Sequence, residues 1–199
     1  MTQILSEEKF TELFRNCLYE IDIEEKNVDN FWLYMQLLFK WNRKINLFSA
    51  SFENLVKYQL CESLLLFKVI KDEDRGRLLD IGSGAGFPGL AAKIYEPDMY
   101  VTLVESNGKK AAFLRFVCAT LKLSCDIRNE RFERMKFSFL YDYVSLRAVS
   151  IAPLLLKKIR EICNGYFFHF TTTSSLPLRG LKLACKLPFC HHVLNVYQL

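Results

Sequence analysis

The sequence lacks several features that would settle its class early. No apolar run approaches the roughly 18 consecutive residues that span a bilayer. The first ten residues, Met1 to Phe10, carry Glu7, Glu8 and Lys9 and contain no hydrophobic stretch of signal-peptide type. No C-x-x-C occurs. The seven cysteines (Cys17, Cys61, Cys118, Cys125, Cys163, Cys185 and Cys190) are odd in number and widely spaced. A disulfide framework and a zinc site are therefore both poorly supported, and the cysteines read as small buried hydrophobes of a reducing compartment. Histidine is confined to His169, His191 and His192, and the adjacent pair reads as ordinary surface rather than as a metal ligand. Internal repeats and low-complexity tracts are absent. These exclusions predict a cytoplasmic protein with no membrane partner and no metal.

What is present suffices for a packed domain. Of 199 residues, 51% are apolar, and 17 Phe and 9 Tyr are among them, which excludes a disordered chain. The length predicts one domain with an appended element, and a monomer is the default. The net charge of +5 is unevenly placed. Residues 1–150 hold 21 basic and 21 acidic residues, whereas 151–199 hold Lys157, Lys158, Arg160, Arg179, Lys182 and Lys186 against Glu161 alone. Such a basic quarter suits a polyanionic partner, or is a solvated face with none.

Apolar spacing predicts three helices over 6–20, 29–41 and 53–70, with Ser6 capping the first and Asp29 or Asn30 the second. A charged connection, Lys71 to Arg77, follows. The pattern then alternates. Strands are expected at Arg77–Ile81, Tyr100–Glu105, Ser124–Arg128, Tyr141–Leu146, Tyr166–Phe170 and Val193–Tyr197. Helices are expected at Leu90–Tyr95, Lys109–Leu121 and Ile151–Cys163, the last ended by Asn164–Gly165. Alternation of this kind predicts a doubly wound, mainly parallel α/β sheet, residues 74–199, with an N-terminal helical segment, 1–73, packed on it.

The strongest local signal is Leu78-Leu79-Asp80-Ile81-Gly82-Ser83-Gly84-Ala85-Gly86-Phe87-Pro88-Gly89. A buried strand runs into glycines that open a helix. Glycine permits close backbone approach to a ligand, and the helix start offers free N–H groups. A nucleotide-like or carboxylate-bearing cofactor at the C-terminal sheet edge follows. Val101-Thr102-Leu103-Val104-Glu105 supplies the second part: an acid ending the next strand accepts hydrogen bonds from ribose hydroxyls. Two cofactors compete. Residues 84–89 satisfy G-x-G-x-x-G, and Glu105 stands about 20 residues beyond, as a dinucleotide fingerprint expects. Yet Asp80 and Gly82 precede the supposed first glycine. D-x-G-x-G resembles motif I of the Rossmann-like methyltransferases, whose cofactor is S-adenosylmethionine, and its carboxylate suits a methionine ammonium better than a pyrophosphate.

Further segments narrow the resemblance. Trp41-Asn42-Arg43-Lys44-Ile45-Asn46-Leu47, Leu103-Val104-Glu105-Ser106, Lys109-Lys110-Ala111-Ala112-Phe113-Leu114 and Ser145-Leu146-Arg147-Ala148-Val149 together resemble the RsmG (GidB) family of 16S ribosomal RNA guanine-N7 methyltransferases over about residues 30–165. The resemblance implies methyl transfer from S-adenosylmethionine to N7 of a guanine, with 16S ribosomal RNA or the small ribosomal subunit as partner. It implies a cofactor site of Asp80, Gly82, Ser83, Gly84, Gly86, Phe87, Glu105, Arg131, Phe132, Glu133 and Arg147, and places Arg147 and Asn46 at the substrate. Residue readings that need no ligand stay open beside it: a salt bridge for Arg147, a helix-ending cap for Asn46, an exposed helix start for 131–133.

Departures from the family pattern are equally specific. Gln59, Glu62 and Ser63 stand where the family has H-x-x-D-S. The strand Tyr166 to Thr172 lacks the family's lysine, for which His169 or Arg179 are the candidate stand-ins. His191 replaces an arginine. A cofactor-binding but catalytically impaired homologue serving as an RNA- or ribosome-binding module is therefore the alternative to an active enzyme. A nicotinamide-dependent oxidoreductase is a third reading.

Overall fold

The computed structural model describes residues 6–71, 76–148 and 151–199. Residues 1–5, most of the charged connection after Lys71, the boundary set at 73/74, and Val149 lie outside the described residues.

Seven strands form one sheet: β1 (Arg77–Ile81), β2 (Tyr100–Val104), β3 (Asp126–Arg128), β4 (Tyr141–Arg147), β5 (Cys163–Thr172), β6 (Lys182–Phe189) and β7 (His192–Gln198). Their order is β3-β2-β1-β4-β5-β7-β6. β1 to β5 are mutually parallel, and β7 runs antiparallel to β5 and β6. β1 and β2 are buried on both faces apart from their first residues, which is why they read as continuous apolar runs. Helices α5 (Gly89–Tyr95) and α6 (Gly108–Thr120) cover one face, together with the N-terminal helices. Helix α7 (Pro153–Ile162) covers the other through Leu155, Ile159 and Ile162, packed with Leu79, Ile81, Val144 and Phe167. The winding direction reverses between β1 and β4, the place where open α/β sheets leave a crevice.

The N-terminal helices share the first core rather than forming one of their own. Ser6 caps α1 (Glu7–Glu20) by accepting from Lys9 N–H at 3.2 Å. Helix α2 spans Val28–Asn42; its cap is Asn27, one or two residues before the expected Asp29 or Asn30. Asn27 is left-handed (φ 55) and makes no side-chain bond to its own helix. Its amide donates instead to the carbonyls of Ile94 and Tyr95, at 2.9 and 3.1 Å, closing the end of α5.

The helix expected over 53–70 is not uniform. It comprises α3 (Phe52–Leu55), a π-helical turn (Val56–Cys61), α4 (Glu62–Leu64) and a 3₁₀ turn (Leu65–Lys68). Glu62 N–H reaches back to Lys57 O and Gln59 O, leaving Tyr58 O free for the Arg147 guanidinium, which donates to it. No local pattern announces a carbonyl claimed by a residue 89 positions away. Asn164 and Gly165 likewise do not end a helix: β5 begins at Cys163. Gly165 packs so closely on the Asp142 backbone that a Cβ would collide with the Asp142 carbonyl. β6 adds a strand that was not among those expected, although Leu183, Cys185, Leu187 and Phe189 alternate with more exposed residues along it. It is an edge strand, half-exposed and carrying Pro188, where such residues are tolerated.

One contact ties the helical segment to the glycine loop. Tyr34 of α2 is wholly buried, and its hydroxyl donates to Ala85 O at 2.6 Å. A Cβ on Gly86 (φ +107) would lie 2.8 Å from the same hydroxyl oxygen. Tyr34→Phe should cost about 1–3 kcal/mol, because Ala85 O is left buried without a donor; urea unfolding of wild type and variant measures the loss.

Candidate active site

The loop after β1 is shaped by backbone bonds to β2. Gly82 (φ 75) and Ser83 both donate to Val104 O, at 2.9 and 3.0 Å. Gly84 (φ 56) turns its N–H onto Glu105 Oε2 at 2.8 Å. Glu105 Oε1 accepts from Asn107 N–H at 2.7 Å, and Asn129 steadies the strand end by donating to Glu105 O. Glu105 as a whole is only 7% exposed.

Asp80 lies behind the loop. It is 1% exposed, accepts from Ser145 Oγ (2.8 Å) through Oδ1 and from Gly89 N–H (3.1 Å) through Oδ2. Enclosure pushes its pKa up to about 6 against the pull of these bonds, of Ser83 and of Arg147. The carboxyl group thus fastens β1, β4 and the start of α5 together, and Gly89 has no room for a Cβ, which would sit 2.5 Å from that of Asp80.

A cavity of about 860 Å³ opens at the sheet edge before this loop. Gly82–Ala85, Phe87, Glu105, Ser106 and Lys110 line one end. Arg147, His169–Thr172 and His192 line the other, under Leu47–Ala50, Gln59 and Glu62. Arg147 is held from the helical side: Nη2 donates to Glu62 Oε2 at 2.6 Å and to Tyr58 O, and the guanidinium lies 5.6 Å from the Phe170 ring centre. Glu62, 1% exposed, also meets His192 Nδ1 at 3.1 Å. Nη1 of Arg147 is buried with no partner among the described residues. Glu62, read above against the aspartate of H-x-x-D-S, supplies a carboxylate here.

The expected site residues divide accordingly. Gly82, Ser83, Gly84, Phe87, Glu105 and Arg147 line the cavity; Asp80 and Gly86 do not, one being sealed behind the loop and the other facing Tyr34. Asn46 is exposed and outside the lining. Asn42 of the same segment does the local work, its Oδ1 accepting from Leu47 and Phe48 N–H at 2.8 and 3.1 Å, which hangs Leu47–Ala50 over the cavity. Arg131 and Glu133 are exposed and Phe132 is buried, none of them lining the cavity. Lys158 of α7 fastens that turn by donating to the carbonyls of Phe132, Glu133 and Met135. Lys110, Phe170, Thr171, Thr172 and His192 line the cavity without having been expected there. For Lys110 the helix-opening Lys109-Lys110 pair was the available signal. Among the described residues, no group of three or more His, Cys, Asp or Glu is placed to hold a metal.

The fold and the placement of the cavity at the switch point define a Rossmann-like methyltransferase fold. Solved structures similar to it include a putative methyltransferase, yhhF, from Escherichia coli (17% identity, TM-score 0.53, covering 67% of this chain and 81% of that one). The TYW2 protein of P. horikoshii, solved in complex with MeSAdo, is also similar (13% identity, TM-score 0.56, 70% and 62% covered). These likenesses concern the fold. Sequence goes further, because residues 27–176 match the family model described as GidB, rRNA small subunit methyltransferase G, and the chain belongs to that family. Proteins named ribosomal RNA small subunit methyltransferase G are 33% identical in Ruthia magnifica over 74% of this chain and 73% of that protein, and 37% identical in Desulforamulus reducens over 74% and 65%. The chain spans about two thirds of the length of the relatives it matches.

The buried Asp80 makes stability depend on pH. Its folded pKa, about 6, lies above the unfolded value of about 3.9, so its contribution is fully present below about pH 4 and lost as pH rises through about 6, by about 3 kcal/mol in all. Urea midpoints taken near pH 4.5 and pH 7 should show that decline in wild type and a flatter response in Asp80→Asn.

Proposed function

We propose that the protein transfers the methyl group of S-adenosylmethionine to N7 of a guanine in small-subunit (16S) ribosomal RNA. The observation that carries this reading is the Glu105 carboxylate, buried in the cavity wall and, among the described residues, paired with two backbone N–H groups. Carboxylate oxygens hold further lone pairs, so both can accept from a ribose diol. The residues present fit such a cofactor at a second point: the unpartnered Nη1 of Arg147 is a buried donor at the cavity and suits the methionine carboxylate. Phe87 and the glycine backbone would wall the space between them.

S-adenosylmethionine bound there supplies a methyl carbon on a positively charged sulfur, so that the N7 lone pair forms the new C–N bond while a neutral thioether leaves and the charge passes to the guanine. Guanine N7 carries no proton, so the chain need not provide a general base. Its task is alignment and exclusion of water. Glu62 offsets the charge of Arg147 and fixes its plane. Leu47–Ala50 and the 52–68 helical run roof the cavity, which is the role we assign to the segment 1–73. No helix among the described residues is long and apolar enough to cross a membrane. We assign the activity to a cytoplasmic monomer, with the basic residues of 151–199 facing the RNA.

Calorimetry tests the cofactor end. Glu105→Ala should weaken S-adenosylmethionine binding by about 10- to 100-fold, the loss of hydrogen bonds to a charged group; unchanged affinity removes Glu105 from the site. Transfer to small subunits lacking the modification tests the reaction. Tight cofactor binding with no transfer would favour the impaired homologue that the missing lysine suggests.

A further inference from the structure

Among the described residues, four buried side-chain nitrogen or oxygen atoms have no hydrogen-bond partner: Nη1 of Arg147, Nδ1 of His169, and both polar atoms of Asn195. Buried polar groups are nearly always paired, so this gathering needs a cause. Arg147 is accounted for by the cofactor. His169 and Asn195 are not.

The two are register partners on the antiparallel pair β5 and β7, so their side chains share a face of the sheet. Asn195 is 1% exposed. An amide buried between strands that makes no bond destabilises the fold unless a bond forms in another state. The His169 ring stacks on Phe167, centroids 6.1 Å apart and 10° from parallel, which fixes its plane. It lines the cavity at the end opposite Glu105. Its Nδ1 is turned into the protein, which leaves Nε2 as the ring's polar atom for the cavity. Burial lowers its pKa and favours the neutral ring, with one N–H and one lone pair.

We propose that His169 reads the acceptor base and that Asn195 is the residue that positions it. Asn195 Oδ1 accepts the Nδ1–H of His169 as the base seats, which holds the Nε2 lone pair toward the cavity. There it accepts an N–H from the Watson–Crick edge of guanine. Guanine presents donors at N1 and at its 2-amino group, on the edge remote from N7, whereas N1 of adenine is an acceptor. A guanine held by that edge turns N7 toward the cofactor end. The inference rests on the RNA methyl-transfer reading. It gives the strand without the family's lysine a different polar contact.

The test uses the full chain, S-adenosylmethionine and small subunits lacking the modification. His169→Phe keeps the stack on Phe167, and Asn195→Leu replaces the amide by an apolar group of similar size. Each should lower kcat/KM for the particle by about tenfold or more. Cofactor Kd should stay within about twofold, and the thermal midpoint of Asn195→Leu should not fall, since an unpaired buried amide is removed. Asn195→Thr, which keeps an acceptor oxygen and suits a strand, should recover most of the loss. Unchanged kcat/KM in His169→Phe overturns the proposal, whatever the folding of the Asn195 variants. If wild type transfers no methyl group, the methyl-transfer reading fails by itself. Binding of small-subunit RNA in the presence of S-adenosylhomocysteine then decides: weaker binding by His169→Phe keeps the base contact, and equal binding overturns it.

Discussion

The carboxyl group of Asp80, sealed from water at the end of β1, joins three parts of the molecule that sequence keeps far apart. It takes the hydroxyl of Ser145 on β4 and the first N–H of α5. Burial opposes its ionisation, yet both oxygens find donors, which is the condition for a buried acid to persist. The loop from Gly82 to Gly89 is therefore strung between a fixed strand end and a fixed helix start. Its middle is pressed from the other side by Tyr34. With both ends and the centre held, Gly84 N–H can only face Glu105. The Glu105 end of the cavity is thus preorganised before any ligand arrives.

The far end of the cavity is built by different means. Arg147 emerges from β4 two residues after Ser145, and its guanidinium crosses to the N-terminal helices to meet Glu62 and Tyr58 O. A buried ion pair of this sort is weak evidence for added stability, since desolvation offsets much of the attraction. Its value here is geometric. It locks the roof to the sheet and leaves Nη1 free. The π-helical turn at Val56–Cys61 belongs to the same arrangement, because a regular α-helix would have occupied the carbonyl that Arg147 uses.

Much of this was legible locally. Strand and helix alternation follows from burial on one or two faces, and the glycine stretch with Glu105 in register follows from what a backbone must do to approach a ligand. The family resemblance, carried by Trp41–Leu47, 84–89, 103–106, 109–114 and 145–149, survived the loss of its histidine, lysine and C-terminal arginine positions. Expectation and placement part where a residue's surroundings, rather than its neighbours in sequence, decide its contacts. Asn46 was marked for the site, but Asn42 supplies the bonds that hold the roof loop. Residues 131–133 were marked for the cofactor, but Lys158 draws that turn toward α7. β6 was not expected, although Leu183, Cys185, Leu187 and Phe189 alternate with more exposed residues along it; Pro188 is tolerated because the strand lies at the edge.

By itself, the sequence determined the doubly wound sheet, the glycine loop with its two acids, and the family, since each rests on short-range pattern: period, glycine spacing, and an acid at a strand end. Only the tertiary structure decided that Asp80 braces the loop while Glu105 faces the cavity, that Glu62 stands beside Arg147, and that His169 and Asn195 share a row across β5 and β7. Those assignments depend on which side of a strand a side chain leaves and on what lies across from it. Contacts between residues 65, 85 or 130 positions apart are created by packing, and no local signal precedes them.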